Sequence, residues 1–143
     1  MKKNHRIVQP ACASAVVTGP GGVTQGLDPE ARGKSILALH TAADDAAELL
    51  IYGPIGDYYW GDGITAASIV EQLGAITAST INVRINSDGG VVSEGLAIYN
   101  ALQRHDADII VTVDGFACSI ASLIAMAGDT VRMPENSMMM LHA

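Results

Sequence analysis

Downstream of Asp45, short apolar runs alternate with segments whose apolar positions recur at helical spacing, which predicts βαβ units around a largely parallel, buried sheet. Glu48 to Tyr52 reads as a strand closed by Gly53-Pro54. Ile64, Ala67, Val70 and Leu73 recur every third residue and predict an amphipathic helix that Gly74 ends in the left-handed region. Thr80 to Ile85 predicts the next strand. Ser93 is placed to cap a second helix with Leu96, Tyr99 and Leu102 on its apolar face. Ile109 to Val113 predicts a third strand, breaking at Asp114-Gly115. The run from Ile120 to Ala127 is apolar on nearly every side, so it predicts a helix buried between layers and ended by Gly128. Thr130 to Met133 and Met138 to Leu141 read as two further short strands.

The first 45 residues lack this order. Gly19-Pro20-Gly21-Gly22, Gly26, Asp28-Pro29 and Gly33 punctuate them without a period of two or 3.6, which predicts a flexible leader over residues 1–45 and a domain over 46–143. Ser35 to His40 is the one run there with strand character. The start is basic, but Gln9, Pro10 and Ser14 interrupt Ile7 to Val17, a poor core for a signal peptide.

Hydrophobic residues make up 49% of the chain and charged ones 16%, a balance that implies a packed core. With aromatics at 4%, that core has to be built from Ala, Ile, Leu, Val and Met. From Ser35 onward three Lys/Arg face thirteen Asp/Glu, an acidic surface that repels phosphate backbones and argues against nucleic acid as a partner. No apolar run approaches the roughly 18 residues of a membrane span. Cys12 and Cys118 lie far apart with no Cys or His partner at metal-ligand spacing, which argues against zinc and suits a reducing cytoplasm.

Two turns could carry chemistry. Asp88-Gly89-Gly90 and Gly115-Phe116-Ala117-Cys118-Ser119 each follow a strand, on the sheet edge where α/β folds collect ligands. Glycines allow backbone N–H groups to approach a substrate oxygen, and Ser119 brings a hydroxyl to the first turn of a helix. An ordinary tight turn, a serine N-cap and a structural His142 would produce the same residues. No phosphate-binding loop, Gly-x-Ser-x-Gly elbow or His-Glu-x-x-His motif is present.

Six blocks in order carry more information: Ile51-Tyr-Gly-Pro-Ile-Gly56, Ile85-Asn-Ser-Asp-Gly-Gly90, Gly95-Leu-Ala-Ile-Tyr-Asn100, Val113-Asp-Gly-Phe-Ala-Cys-Ser119, Ala125-Met-Ala-Gly-Asp129 and Met139-Met-Leu-His142. Together they resemble the Clp proteolytic subunit family, and most closely its phage prohead (head maturation) peptidases. The resemblance covers roughly Glu48 to Ala143. It implies an α/β fold, the spiral of β-β-α units shared by ClpP and crotonases, incomplete at the C-terminus. It also implies a serine endopeptidase that cleaves capsid or scaffold proteins through an acyl-enzyme in the bacterial or phage-infected cytoplasm, with no cofactor and no metal. By the same resemblance Ser119 is the nucleophile, His142 the general base, and the Gly90 and Ile120 N–H groups the oxyanion hole. Val91 and Val92, on a strand following Gly90, would lie beside the substrate. A homo-oligomer is expected, with an unfoldase ATPase as a candidate partner.

Three positions depart from the family pattern. Asp88 stands where proline is common, and Cys118 where a small residue is usual. The sequence also stops one residue after His142, whereas the family supplies its triad aspartate farther along; Asp114 and Asp129 lie in the wrong blocks to replace it. Loss of that aspartate's role costs about four orders of magnitude in turnover, which puts in question the activity of a chain truncated at this point. Two other readings compete: a non-enzymatic fragment that self-associates through an apolar core nothing covers, and an acyl-CoA enzyme of the crotonase fold.

Overall fold

The structure, a computed structural model, describes residues 45–56 and 63–142, together with the backbone of the strands Arg6–Val8 and Ile36–Ala42. Its elements in chain order are β1 (Arg6–Val8), β2 (Ile36–Ala42), β3 (Ala46–Tyr52), α1 (Ala66–Gly74), β4 (Thr80–Ser87), α2 (Val92–Arg104), β5 (Asp108–Cys118), α3 (Ile120–Ala125), β6 (Thr130–Arg132) and β7 (Met138–Met140). One seven-stranded sheet runs β1-β6-β5-β4-β3-β2, and β7 pairs with the far end of β5. Among the described strands, only β2 against β3 is antiparallel. The architecture is thus α/β with repeated strand and helix units around a mainly parallel sheet.

Alternation along the central strands decides where the core sits. Leu49 and Ile51, Ile81, Val83 and Ile85, and Ile109, Val111 and Val113 point to one face and are buried. They form one cluster with Ile69 and Leu73 of α1, Ile98 and Leu102 of α2, and Ile124 of α3. Each such side chain contributes about 1.5–3 kcal/mol when taken fully out of water. That cluster is covered by the three helices, while Val92, Phe116, Met138 and Leu141 are among the large apolar side chains left exposed.

Several local expectations are corrected. In α1 the buried positions are Ile69 and Leu73, while Val70 is 49% exposed, because a strict three-residue repeat drifts off one face of a 3.6-residue helix. Gly74 is not left-handed; α1 ends at Ala75 in the right-handed region. At its start Thr65 Oγ1 accepts from the Ser68 N–H at 3.2 Å, and Glu94 Oε2 reaches across from α2 to accept from the Ala66 N–H at 2.5 Å. In α2 the cap is Val91, which makes no side-chain capping bond, and Ser93 already lies inside the helix. The buried face of α2 is Gly95, Ile98, Ala101 and Leu102, with Leu96 exposed. Helix α3 ends at Ala125, before Gly128. Strands β1 and β2 fall within residues 1–45; apart from them and Asp45 that stretch lies outside the described residues, and with it the leader expected there.

Strand β5 does not break at Asp114-Gly115 but continues to Cys118. Asp114 is held on the half-exposed face of the sheet: Arg84 Nε and Nη2 donate to its two oxygens at 2.7 Å each, and the Tyr52 hydroxyl donates to Oδ2. Burial, and then the bond to Asp114, push the Tyr52 hydroxyl up from 10.0 to about 12. The folded state thus holds this proton more tightly than the unfolded chain does. The associated stability is present below pH 10 and is lost as pH rises toward 12. Thermal melts of wild type and Tyr52→Phe across pH 9–12 should show a steeper fall for wild type; parallel curves would refute the linkage.

Candidate active site

Neighbouring turns meet at the carboxyl end of the sheet. After β4, Gly89 and Gly90 take φ values of +94° and +149°. The Ile55 N–H donates to the Gly89 carbonyl at 2.9 Å, and the Val91 N–H donates to the Ile55 carbonyl at 2.8 Å. In that parallel bridge the N–H of Gly90 itself is turned away from Ile55. It has no hydrogen-bond partner among the described residues, and the same holds for the Ile120 N–H at the start of α3.

Ser119 stands between the end of β5 and the start of α3 with φ 53° and ψ −125°, a sparsely populated conformation for a residue with a Cβ. It makes no side-chain capping bond to α3, so an N-cap does not account for it. Its backbone is held on both sides: the N–H donates to the Met140 carbonyl at 2.8 Å, and the carbonyl accepts from the Ser122 N–H at 3.0 Å and the Ser122 hydroxyl at 2.6 Å. Its hydroxyl oxygen lies 2.9 Å from His142 Nε2. That approach follows from the parallel pairing of Phe116, Ala117 and Cys118 with Met138, Met139 and Met140, which carries residue 142 up beside residue 119. A Cβ on Gly89 would lie 2.8 Å from the Ser119 Cβ, so the glycine turn is packed directly against the serine. Because α3 has only six residues, any anion stabilisation here comes from its first N–H groups rather than from a long dipole.

The carboxylates of Asp114 and Asp129 are engaged elsewhere, the first by Arg84 and Tyr52 and the second by the Ile109 N–H at 2.9 Å. Val91 and Val92 do not form the expected strand after Gly90. They are the cap and first residue of α2, and the Val91 N–H is already spent on Ile55. The chain turns into a helix there because Gly90 and Val91 are bridged to Ile55, which swings the following residues off the sheet. Cys118 is buried and free. Among the described residues no cluster of three or more His, Cys, Asp or Glu side chains comes together, and no helix is long and apolar enough to cross a membrane.

Residue-level sequence reasoning missed Asn86, whose Oδ1 accepts from the Phe116 N–H at 3.1 Å, and Glu94 as a cap for another helix. Asn86 shares one face of β4 with Thr80, Asn82 and Arg84, opposite the buried Ile81, Val83 and Ile85, and that run of polar side chains on one face was the available signal.

The family model for Clp protease matches residues 34–143. A curated relative, the ATP-dependent Clp protease proteolytic subunit 1 of Salinibacter ruber, is 32% identical over 81 residues, covering 55% of this chain and 35% of the relative. The solved structure of ClpP1 from Listeria monocytogenes matches with a TM-score of 0.50 at 26% identity, over 57% of this chain and 46% of that one. The chain thus matches about a third of the curated relative's length and less than half of the solved structure. These matches overturn the phage prohead assignment and, with it, capsid maturation and capsid or scaffold substrates. They equally overturn the acyl-CoA enzyme of crotonase type. The blocks that prompted the narrower assignment encode the glycine turn, the strained serine and the buried helix, which report on shared machinery and carry no information about the substrate.

Proposed function

The chain belongs to the Clp protease family, and from that premise we propose that it is a serine endopeptidase with Ser119 as nucleophile and His142 as general base. The observation that carries the proposal is the 2.9 Å approach of the Ser119 hydroxyl to His142 Nε2, made by a serine in a strained conformation that does no capping. With its proton on Nδ1, the imidazole accepts the Ser119 proton at Nε2 as the hydroxyl oxygen attacks the scissile carbonyl. The tetrahedral oxygen is held by the N–H groups of Gly90 and Ile120. Protonated His142 then gives its proton to the leaving amine, and water repeats the sequence on the acyl-enzyme at Ser119. Each step uses the chain's own groups. Val91 and Val92 follow Gly90 directly, and the exposed Val92 side chain is the one open to substrate.

The likeness to a proteolytic subunit of an ATP-dependent protease supports protein substrates, a homo-oligomer, an unfoldase ATPase as partner and a cytoplasmic setting. The test is to treat the intact protein with a fluorophosphonate and map the adduct. Modification of Ser119 is expected. An unmodified Ser119, or a label on another residue, overturns the proposal.

A further inference from the structure

Strands β4 and β5 pair residue for residue from Thr80 with Asp108 to Ile85 with Val113, and then meet again only at Ser87 with Ala117. Between those points β4 passes through Asn86 alone, while β5 passes through Asp114, Gly115 and Phe116. The two extra residues on β5 retract its tail by about 7 Å at the usual rise per residue. In the first register Ser119 would fall opposite Val91; in the second it falls level with Gly89. The second agrees with the packing of the Gly89 turn against the Ser119 Cβ. A slip of two residues preserves the facing of every side chain, so burial alone does little to choose between these registers.

Asn86 faces the bulge. Its Oδ1 accepts from the Phe116 N–H, a ladder donor that the bulge leaves without a backbone partner on β4, and its backbone carbonyl accepts from the Gly53 N–H at 2.9 Å. Gly115 makes room for this contact: a Cβ there would lie 2.7 Å from Asn86 Oδ1. We infer that Asn86 is a positioning residue which locks the bulge in β5 and so sets the Ser119 hydroxyl level with the Gly90 and Ile120 N–H groups. This inference rests on the endopeptidase reading and adds to it.

The bulge has a specific kinetic signature because β7 is paired to the tail of β5. When the tail shifts, His142 moves with Ser119, so their mutual contact survives while alignment with the oxyanion donors is lost. Asn86→Ala should therefore lower the maximal rate of fluorophosphonate inactivation about 10- to 100-fold, the scale of misplacement by roughly an ångström. The inhibitor concentration at half-maximal rate, the pH dependence of inactivation and the final labelling stoichiometry should stay unchanged. Asn86→Asp, which keeps an acceptor oxygen on the same branch, should restore most of the rate. Gly115→Ala should reproduce the loss, and the double variant should be no worse than either single one.

An Asn86→Ala rate equal to wild type overturns the inference. So does a loss that appears as incomplete final labelling, or one that Asn86→Asp fails to rescue. Wild type that takes up no label at Ser119 removes the endopeptidase reading instead, so the two failures are distinguishable.

Discussion

In a protein that carries the acidic partner of His142, replacing Ser119 by alanine is expected to lower peptide hydrolysis by a factor on the order of 10⁶ and to abolish fluorophosphonate uptake, because nucleophile and base act as one unit. His142→Ala should cost a comparable factor, and the double variant should lose no more than either single one. Multiplying losses would mean that the two side chains work independently, contrary to their 2.9 Å contact. Stability should move the other way for one substitution. Ser119 holds φ 53° and ψ −125° against the preference of any residue with a Cβ. Ser119→Gly relieves that strain and should melt above wild type, by about 1–3 kcal/mol in unfolding free energy. A Ser119→Gly protein that melts lower would mean the backbone conformation stores no strain. Denaturant titration of wild type, the alanine variant and the glycine variant measures this.

Gly89→Ala is expected to damage both stability and labelling although Gly89 lies outside the catalytic pair. Gly89 has φ +94°, and an added Cβ would lie 2.6 Å from the Cys118 carbonyl oxygen and 2.8 Å from the Ser119 Cβ. The first of these is backbone and cannot swing aside. Conformational strain and overpacking together should cost about 2–5 kcal/mol, and any protein that still folds should have its nucleophile displaced. Inactivation by fluorophosphonate should fall at least about 100-fold in the folded fraction. Gly74→Ala supplies the control. Gly74 is helical with nothing within 4 Å of an added Cβ, so the same chemical change there should raise stability by about 0.5–1 kcal/mol and leave labelling intact. Similar melting for the two variants would contradict the steric argument.

The strands were legible because alternation and apolar runs report directly on a half-buried sheet: Glu48–Tyr52 and Thr80–Ile85 were found within a few residues of their observed bounds. Helix faces were less legible. The three-residue series through Val70 looked regular, but only packing selects Ile69 and Leu73 from the apolar positions available. Caps were less legible: α2 has its cap at Val91, two residues before Ser93, and the Glu94 carboxylate serves the start of α1, far away in sequence. The apparent break at Asp114-Gly115 misled for a related reason. Those residues look like a turn, yet Asp114 is anchored by Arg84 and Tyr52, and Gly115 leaves space for a neighbouring carboxamide. As for the site, no local periodicity brings residue 142 to residue 119. Their approach depends on β7 pairing with β5, and in the sequence it could be inferred only through family resemblance.

One hydrogen bond links dynamics to chemistry. The Ser119 amide donates to the Met140 carbonyl, on the short outer strand that ends two residues before His142. Fraying of those three residues would free that amide to exchange with solvent deuterons and, in the same event, release the imidazole. The protection factor of a single proton would then measure the fraction of molecules competent to react, and warming could silence the protein well before its core melts.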